Sequence, residues 1–205
     1  MSTTSLAIAL AIALIAVVAT ALFLRRRWLK QLATQRPQQR YCPNCRCKLK
    51  ERQIGGKKKL ACPRCQYVFW NNPLVVAVGI VPSTDGKGVL LGKRSIPPGL
   101  GDYGLLGGFL EPGEGPEQGV VREAFEESGL KVEVVRLLWI IALPKINQIL
   151  IFYICKAVGG TLTVSDETSE VAYFPCDHLP TNIAFLTHQQ AIDMYLQQRD
   201  KTGAK

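Results

Sequence analysis

Apolar positions along this chain fall into runs of strand length, and polar turns separate them. The first run reads LVVAVGIV, and a turn at Asp85-Gly86 leads into the second. Two later runs are longer and rich in β-branched residues, and Pro144–Asn147 lies between them as a hairpin loop does. The predicted strands are residues 74–81, 89–94, 131–143, 148–158 and 170–175.

Two further segments have helical spacing. Residues 117–128 follow a loop rich in Gly and Pro, and Gly129 is a C-terminal stop signal. Residues 185–199 predict a final helix, with Thr187 as its cap. Strands, helix, strands, helix is the order of a mixed sheet with helices packed on it, so we predict an α/β fold of the α/β/α sandwich type.

The N-terminal segment from Leu6 to Leu24 contains no charge. It reaches the roughly 20 residues that cross a bilayer as a helix. A cleaved signal peptide is the alternative, but no Lys or Arg precedes the run and several follow it at once. We therefore predict a membrane anchor over residues 5–24, a single-pass membrane location and a cytoplasmic catalytic domain.

Charge is divided unevenly between the two parts of the chain. The net charge is +9. Residues 25–69 contain 14 Lys or Arg and one acid, whereas residues 70–205 contain 11 Lys or Arg and 15 acids. A membrane-proximal basic collar explains this asymmetry, and nucleic-acid binding is the less favoured alternative. Residues 25–40 predict a basic polar linker.

Two CxxC pairs, CPNC and CPRC, follow the linker. Their separation predicts a single site of four thiolates for tetrahedral Zn²⁺, within a small zinc ribbon of residues 41–70. Two disulfides or free thiols are the alternatives, and a cytoplasmic location argues against disulfides. No His, Asp or Glu lies inside either pair, so the zinc is expected to be structural. The ligands are Cys42, Cys45, Cys62 and Cys65.

Glu123, Glu126 and Glu127 lie at spacings i, i+3 and i+4 on the first predicted helix. That spacing places three like charges on one helical face, where a divalent cation such as Mg²⁺ or Mn²⁺ offsets their repulsion. A solvated acidic face is the alternative for the glutamates alone.

The surrounding segment GFLEPGEGPEQGVVREAFEESGL resembles the Nudix box of the Nudix hydrolases. Upstream and downstream segments are similar to the zinc-ribbon-bearing branch, including NPLVV, VLLGKR, YGLLGGFLE and EVAYF. Tyr103 and Leu106 stand where that pattern has Trp and Pro. The likeness is closer to ADP-ribose and FAD pyrophosphatases than to NADH pyrophosphatases, whose SQPWPFP run this chain lacks. The box positions are Gly108, Glu114, Arg122, Glu123, Ala124, Glu126, Glu127, Gly129 and Leu130.

The resemblance implies an enzyme that hydrolyses a nucleoside diphosphate linked to another moiety, with Mg²⁺ or Mn²⁺ as cofactor. It implies a homodimer and a nucleotide substrate. In this interpretation Glu123, Glu126 and Glu127 bind the metal. One of these three glutamates, or a later carboxylate at Glu167 or Glu170, acts as the base. Exposed loop charge is the slightly favoured interpretation of Glu167 and Glu170. The other implied site residues are Arg122 and Glu114 at the box, and Gly107, Gly108 and Tyr103 at the substrate.

Three alternatives remain beside FAD or ADP-ribose as substrate: NAD(H), NAD-capped RNA, or a non-catalytic nucleotide sensor. His178 and His188 are expected to be structural or on the surface. Core packing is favoured over base stacking for at least two aromatic residues in the set Trp70, Tyr103, Phe109 and Trp139. The expected Nudix domain spans residues 71–200.

Overall fold

The structure, a computed structural model, describes residues 39–203. It forms two compact units. The first ends at Asn72 and also includes Pro144–Ile146. Within the described part there are ten strands and two helices. They are β1 (Lys50–Ile54), β2 (Lys57–Ala61), β3 (Val68–Phe69), β4 (Leu74–Ile80), β5 (Gly88–Arg94), β6 (Tyr103–Gly104), β7 (Leu106–Phe109), α1 (Pro116–Ser128), β8 (Leu130–Leu143), β9 (Gln148–Gly160), β10 (Thr168–Pro175) and α2 (Leu186–Gly203).

The first unit is a three-stranded antiparallel sheet in the order β1-β2-β3. Gly55 and Gly56 connect β1 to β2, and both have positive φ, as two-residue hairpin turns require. A small core of Cys42, Leu49 and Cys62 lies beside the sheet.

The second unit contains two sheets. One has four strands in the order β7-β4-β9-β8, and the other has three in the order β10-β5-β6. Strand β4 runs parallel to β9, while the other pairings are antiparallel. The predicted mixed sheet is therefore confirmed.

Alternate residues of β4 pack toward different helices because successive strand side chains point to opposite faces. Val78 and Ile80 share a core with Ala191 and Ile192 of α2. Ala77 belongs to a second core, which contains Val120 and Ala124 of α1. The two helices thus cover opposite faces of the sheet, and α1 is fixed against the edge where β7 pairs with β4.

Helix α1 begins at Pro116 and ends at Ser128, and the next residue, Gly129, takes the left-handed conformation with φ of 70°. Pro suits the first helical position and Gly the position after the last, so the sequence located this helix well. Helix α2 begins at Leu186, which places Thr187 inside the first turn instead of at the cap. The two short strands β6 and β7 were not predicted as strands.

The predicted membrane anchor, residues 5–24, and nearly all of the linker lie outside the described residues. Between residues 39 and 203, no helix has both the length and the apolar character needed to cross a bilayer. The predicted single-pass membrane location is corrected by this finding.

Candidate active site

The three glutamates of α1 share one helical face but differ strongly in burial. Glu127 is 7% exposed. The side chain of Glu123 is 14% exposed, and that of Glu126 is 55% exposed. The helical spacing predicts the common face. The packing of α1 on the sheet then decides that Glu127 is buried while Glu126 faces solvent.

Glu127 lies against the backbone of β7. Its Oε2 accepts a hydrogen bond of 2.9 Å from the Gly107 N–H. The pKa of Glu127 is raised to about 8, chiefly by burial and also by the negative charges of Glu123 and Glu167, against the opposing effects of the Gly107 N–H and the Arg94 charge. The carboxylate form of Glu127 therefore lacks sufficient positive charge nearby.

Gly107 and Gly108 bring β7 close to both the neighbouring strand and the glutamates. Gly107 has φ of 153°, and a Cβ there would collide with the Ala77 carbonyl oxygen and with Val78 Cα at 2.7 Å. A Cβ on Gly108 would collide with the carboxylate of Glu123. At Gly107 the obstacle is backbone, so only glycine fits there, whereas a Cβ at Gly108 would displace the Glu123 carboxylate.

Arg122 is the centre of the ion-pair network. Its Nε and Nη2 donate to the two carboxylate oxygens of Glu114, at 2.8 and 2.9 Å. Its Nη1 donates to Glu123 and to Glu126, each at 2.9 Å, and Nη2 also donates to the Phe109 carbonyl at 3.1 Å. Arg122 lowers the pKa of Glu114 to about 2. The pair ties the loop before α1 to the helix.

Negative charge still exceeds positive charge at this face. Burial raises the pKa of Glu123, and the charges of Glu126 and Glu167 add to that rise while Arg122 opposes it. Glu127 receives a single backbone donor. Hard oxygen ligands in excess of local cations are the donor set that Mg²⁺ and Mn²⁺ prefer, so the residues present fit a divalent cation.

The two later acidic candidates have different environments. Glu167 is exposed, and its charge acts on both Glu123 and Glu127. Glu170 lies in β10, not in a loop, and accepts a 2.8 Å hydrogen bond from the Tyr103 hydroxyl, which raises the pKa of Tyr103. The favoured interpretation as loop charge is therefore wrong for Glu170. Tyr103 also packs edge-on against Phe174 at 5.0 Å, and its substrate-binding role stays a prediction.

Arg94 is a functional candidate that sequence reasoning missed. Its guanidinium lies over the Phe185 ring at 5.1 Å, and its Nε donates to the Pro98 carbonyl at 2.7 Å. Its charge lowers the pKa of Glu127, so it acts on the buried carboxylate. The signal was available, because Arg94 ends the VLLGKR segment that resembles the family pattern.

The remaining aromatic and histidine candidates divide between core and surface. Trp139 stacks on Phe152 at 5.6 Å and, like Tyr103, packs against the core, as predicted for at least two of the four aromatic residues. Phe109 and Trp70 are about half exposed. The buried histidine is His188, and the exposed one is His178, which pairs with Asp177 at 3.1 Å.

The cysteine pairs of the first unit converge. Sγ atoms of Cys42, Cys45, Cys62 and Cys65 all lie within 4.8 Å of one another. Three Sγ–Sγ separations are 3.4 to 3.9 Å, which exclude disulfides. They approach the ~3.8 Å between sulfurs around tetrahedral zinc with Zn–S bonds of ~2.3 Å. Two backbone N–H groups donate to Cys62 Sγ at 3.4 Å. The cluster fits zinc.

Two surface hollows of the second unit differ in their relation to the box. One of about 750 Å³ is lined by Asp85, Lys87, Tyr173 and Arg199 among others, and no box residue borders it. A second of about 500 Å³ borders Glu114 and Arg122. The chemistry of the glutamates, not cavity size, therefore locates the candidate site.

Known proteins resemble this chain over the same region. Residues 73–195 match the NUDIX domain. An ADP-ribose pyrophosphatase of Methanocaldococcus jannaschii is 35% identical over 139 residues, which cover 66% of this chain and 80% of that protein. The NAD-capped RNA hydrolase NudC of Pseudomonas aeruginosa is 30% identical over 167 residues, covering 78% of this chain and 56% of NudC. The chain thus spans just over half the length of that relative.

A solved structure has a similar fold. A Nudix hydrolase from Nitrosomonas europaea superimposes with a TM-score of 0.74 at 30% identity. The match covers 79% of this chain and 93% of the other.

Proposed function

The chain belongs to the Nudix hydrolase family, and from that premise we propose that it is a metal-dependent pyrophosphatase for a nucleoside diphosphate linked to another moiety. ADP-ribose and FAD are the favoured substrates. The observation that carries the proposal is the carboxylate face of α1, held by Arg122 and by the glycine backbone of β7. The relative named ADP-ribose pyrophosphatase supports the choice of substrate class.

Each site residue has a proposed part in the reaction. Glu123, Glu126 and Glu127 hold Mg²⁺ or Mn²⁺, which supplies charge neutralisation at the diphosphate and activation of the attacking water. Arg122 orients Glu123 and Glu126 and fixes the Glu114 loop. Gly107 presents its N–H to Glu127 and keeps the backbone close to the site.

A carboxylate outside the metal-binding set is the proposed base. Glu167 is the stronger of the two later candidates, because its side chain is exposed and its charge acts on Glu123 and Glu127. Glu170 already accepts the Tyr103 hydroxyl. The change Glu167→Gln should lower kcat by on the order of a hundredfold, which is the contribution of a general base, whereas Glu170→Gln should leave kcat largely unchanged.

The four thiols of the first unit are proposed to bind a structural zinc. The sulfur separations and the backbone donors at Cys62 support this assignment. We propose the domain division made from the sequence, with a zinc ribbon over residues 41–70 and a Nudix domain over residues 71–200. The homodimer stays a prediction.

The decisive experiment is a substrate panel with Mg²⁺ or Mn²⁺. It contains ADP-ribose, FAD, NADH, nucleoside triphosphates and NAD-capped RNA, and the products are separated by chromatography. Metal-dependent release of AMP with ribose phosphate or FMN is the expected result. The variant Glu126→Gln should reduce turnover at least a hundredfold. Glu117→Gln is the matched control, since Glu117 is an exposed glutamate in the first turn of the same helix.

A second candidate is hydrolysis of NAD(H) or of NAD-capped RNA. The NudC relative supports it, at 30% identity over 78% of this chain. Release of nicotinamide mononucleotide from capped RNA, without turnover of ADP-ribose or FAD, would select this candidate. Tight nucleotide binding without any turnover would contradict both enzymatic proposals.

A further inference from the structure

The β1–β2 hairpin of the first unit places four cations on one face. Arg52 lies directly opposite Lys59 in the antiparallel register, and directly opposed residues project to the same side of a sheet. Lys50 and Lys57 are each two positions from one of these residues, so they share that side. We name Lys50, Arg52, Lys57 and Lys59 the basic face.

No carboxylate of the hairpin lies on the basic face. The single acid of the two strands, Glu51, alternates to the opposite side, where it pairs with Lys58 at 3.4 Å. Like charges directly opposite each other destabilise a strand pair, and Arg52 with Lys59 is such a pair. A bound anion would relieve that repulsion, whereas the Glu51–Lys58 side is already compensated.

Trp70 lies beside the basic face. It is 53% exposed. Lys59 Nζ donates to the Trp70 carbonyl at 3.2 Å and lies 5.6 Å from the centre of the indole ring, so the cation and the aromatic ring are held together. Exposed aromatic rings next to a row of cations are the surface that single-stranded nucleic acids bind, by base stacking and phosphate pairing.

We propose that the basic face and Trp70 bind single-stranded RNA. Positions two apart on a strand repeat about every 6.7 Å, so the cations form a row that a chain of phosphates engages along its length. A small dinucleotide has one diphosphate and would engage only part of the row. The inference rests on the second candidate function, hydrolysis of NAD-capped RNA. In a capped RNA, a chain of phosphates follows the diphosphate that is cleaved.

The test uses the full-length, zinc-loaded chain and a 5′-fluorescein single-stranded RNA of about 20 nucleotides. Fluorescence anisotropy gives the Kd between about 50 and 200 mM NaCl. Arg52→Ala and Lys58→Ala form a matched pair. Both residues are exposed and lie on the same hairpin, and each substitution removes one positive charge. Arg52→Ala should weaken binding about fivefold and reduce the slope of log K against log salt by about 0.7. Lys58→Ala should leave both unchanged.

The aromatic contribution is tested separately. Trp70→Ala should weaken binding about tenfold with little change in the salt slope, because stacking does not release counterions. Trp70→Phe should retain most of the affinity. Zinc content of each variant, and its turnover of whichever substrate the panel identifies, show whether the chain is folded.

Three results would overturn the proposal. They are equal losses in Arg52→Ala and Lys58→Ala, absence of RNA binding by the unchanged protein, and binding to phosphatidylserine vesicles without binding to RNA. Turnover on the same samples separates this inference from the proposed function. Intact ADP-ribose turnover without RNA binding would refute only the proposed RNA-binding surface. RNA binding without turnover of any substrate would refute only the enzymatic proposal.

Discussion

His188 makes the stability of the fold depend on acid pH. It lies in the first turn of α2 and is 6% exposed. Its Nδ1 accepts a 3.0 Å hydrogen bond from the Leu105 N–H, and the rings of Phe152 and Phe185 pack edge-on against it. Burial, with a smaller effect from the Arg94 charge, lowers the pKa of His188 to about 3.

The direction of the effect follows from proton binding in the two states. The unfolded histidine has a pKa near 6.5, so protons favour the unfolded chain once the pH falls below that value. The contribution of neutral His188 is fully present above about pH 6.5 and is lost progressively toward pH 3. At pH 4.5, two units below the unfolded pKa, the free energy of unfolding should be lower by about 2.7 kcal/mol.

The variant His188→Asn isolates this term. Asparagine retains a neutral acceptor for the Leu105 N–H but does not titrate, and the smaller side chain should cost about 1.5 kcal/mol at pH 7.5. Urea denaturation of both proteins between pH 7.5 and 4.5 measures the difference. The variant should be less stable at pH 7.5 and more stable, by about 1 kcal/mol, at pH 4.5.

Other titrating groups cancel in this comparison. The raised pKa of Glu127, about 8, acts in the opposite direction, since protonation below pH 8 favours the folded state. That effect and the titration of the cysteines are common to both proteins. His178→Asn is the control, because His178 is the other histidine of the chain and is exposed. A stability difference between wild type and His188→Asn that stays constant with pH would refute the reasoning.

Three further predictions concern the site and the first unit. Gly107→Ala should lower the free energy of unfolding by about 3 kcal/mol and abolish turnover, because its Cβ collides with β4, as denaturation and kinetics would show. Arg122→Lys should reduce kcat about tenfold, since a single ammonium cannot make the paired bonds to Glu114, and unchanged kcat would contradict the positioning role. Cys45→Ser should bind less than about a tenth of the zinc of the wild type, measured by metal analysis, whereas Cys155→Ser should bind a full equivalent because Cys155 lies in the core of the second unit.

Short-range spacing determined a large part of this protein from the sequence. Residues three and four apart share a helical face in any α-helix, so the alignment of Glu123, Glu126 and Glu127 needed no tertiary contact. The stop at Gly129 is local in the same sense, because glycine tolerates the left-handed conformation that ends a helix. The separation of the two CxxC pairs likewise predicted a site that the structure brings together.

Tertiary structure decided what depends on segments far apart in the chain. The raised pKa of Glu127 comes from burial against β7, and the Tyr103–Glu170 hydrogen bond joins residues whose strands, β6 and β10, flank β5. Arg94 acts on Glu127 only because the end of β5 lies near α1. The periodicity of the sequence does not predict this pKa or these contacts, since burial and pairing across a sheet are set by packing and register. The sequence therefore predicted the candidate carboxylates and thiols, and the fold determined their burial and their partners.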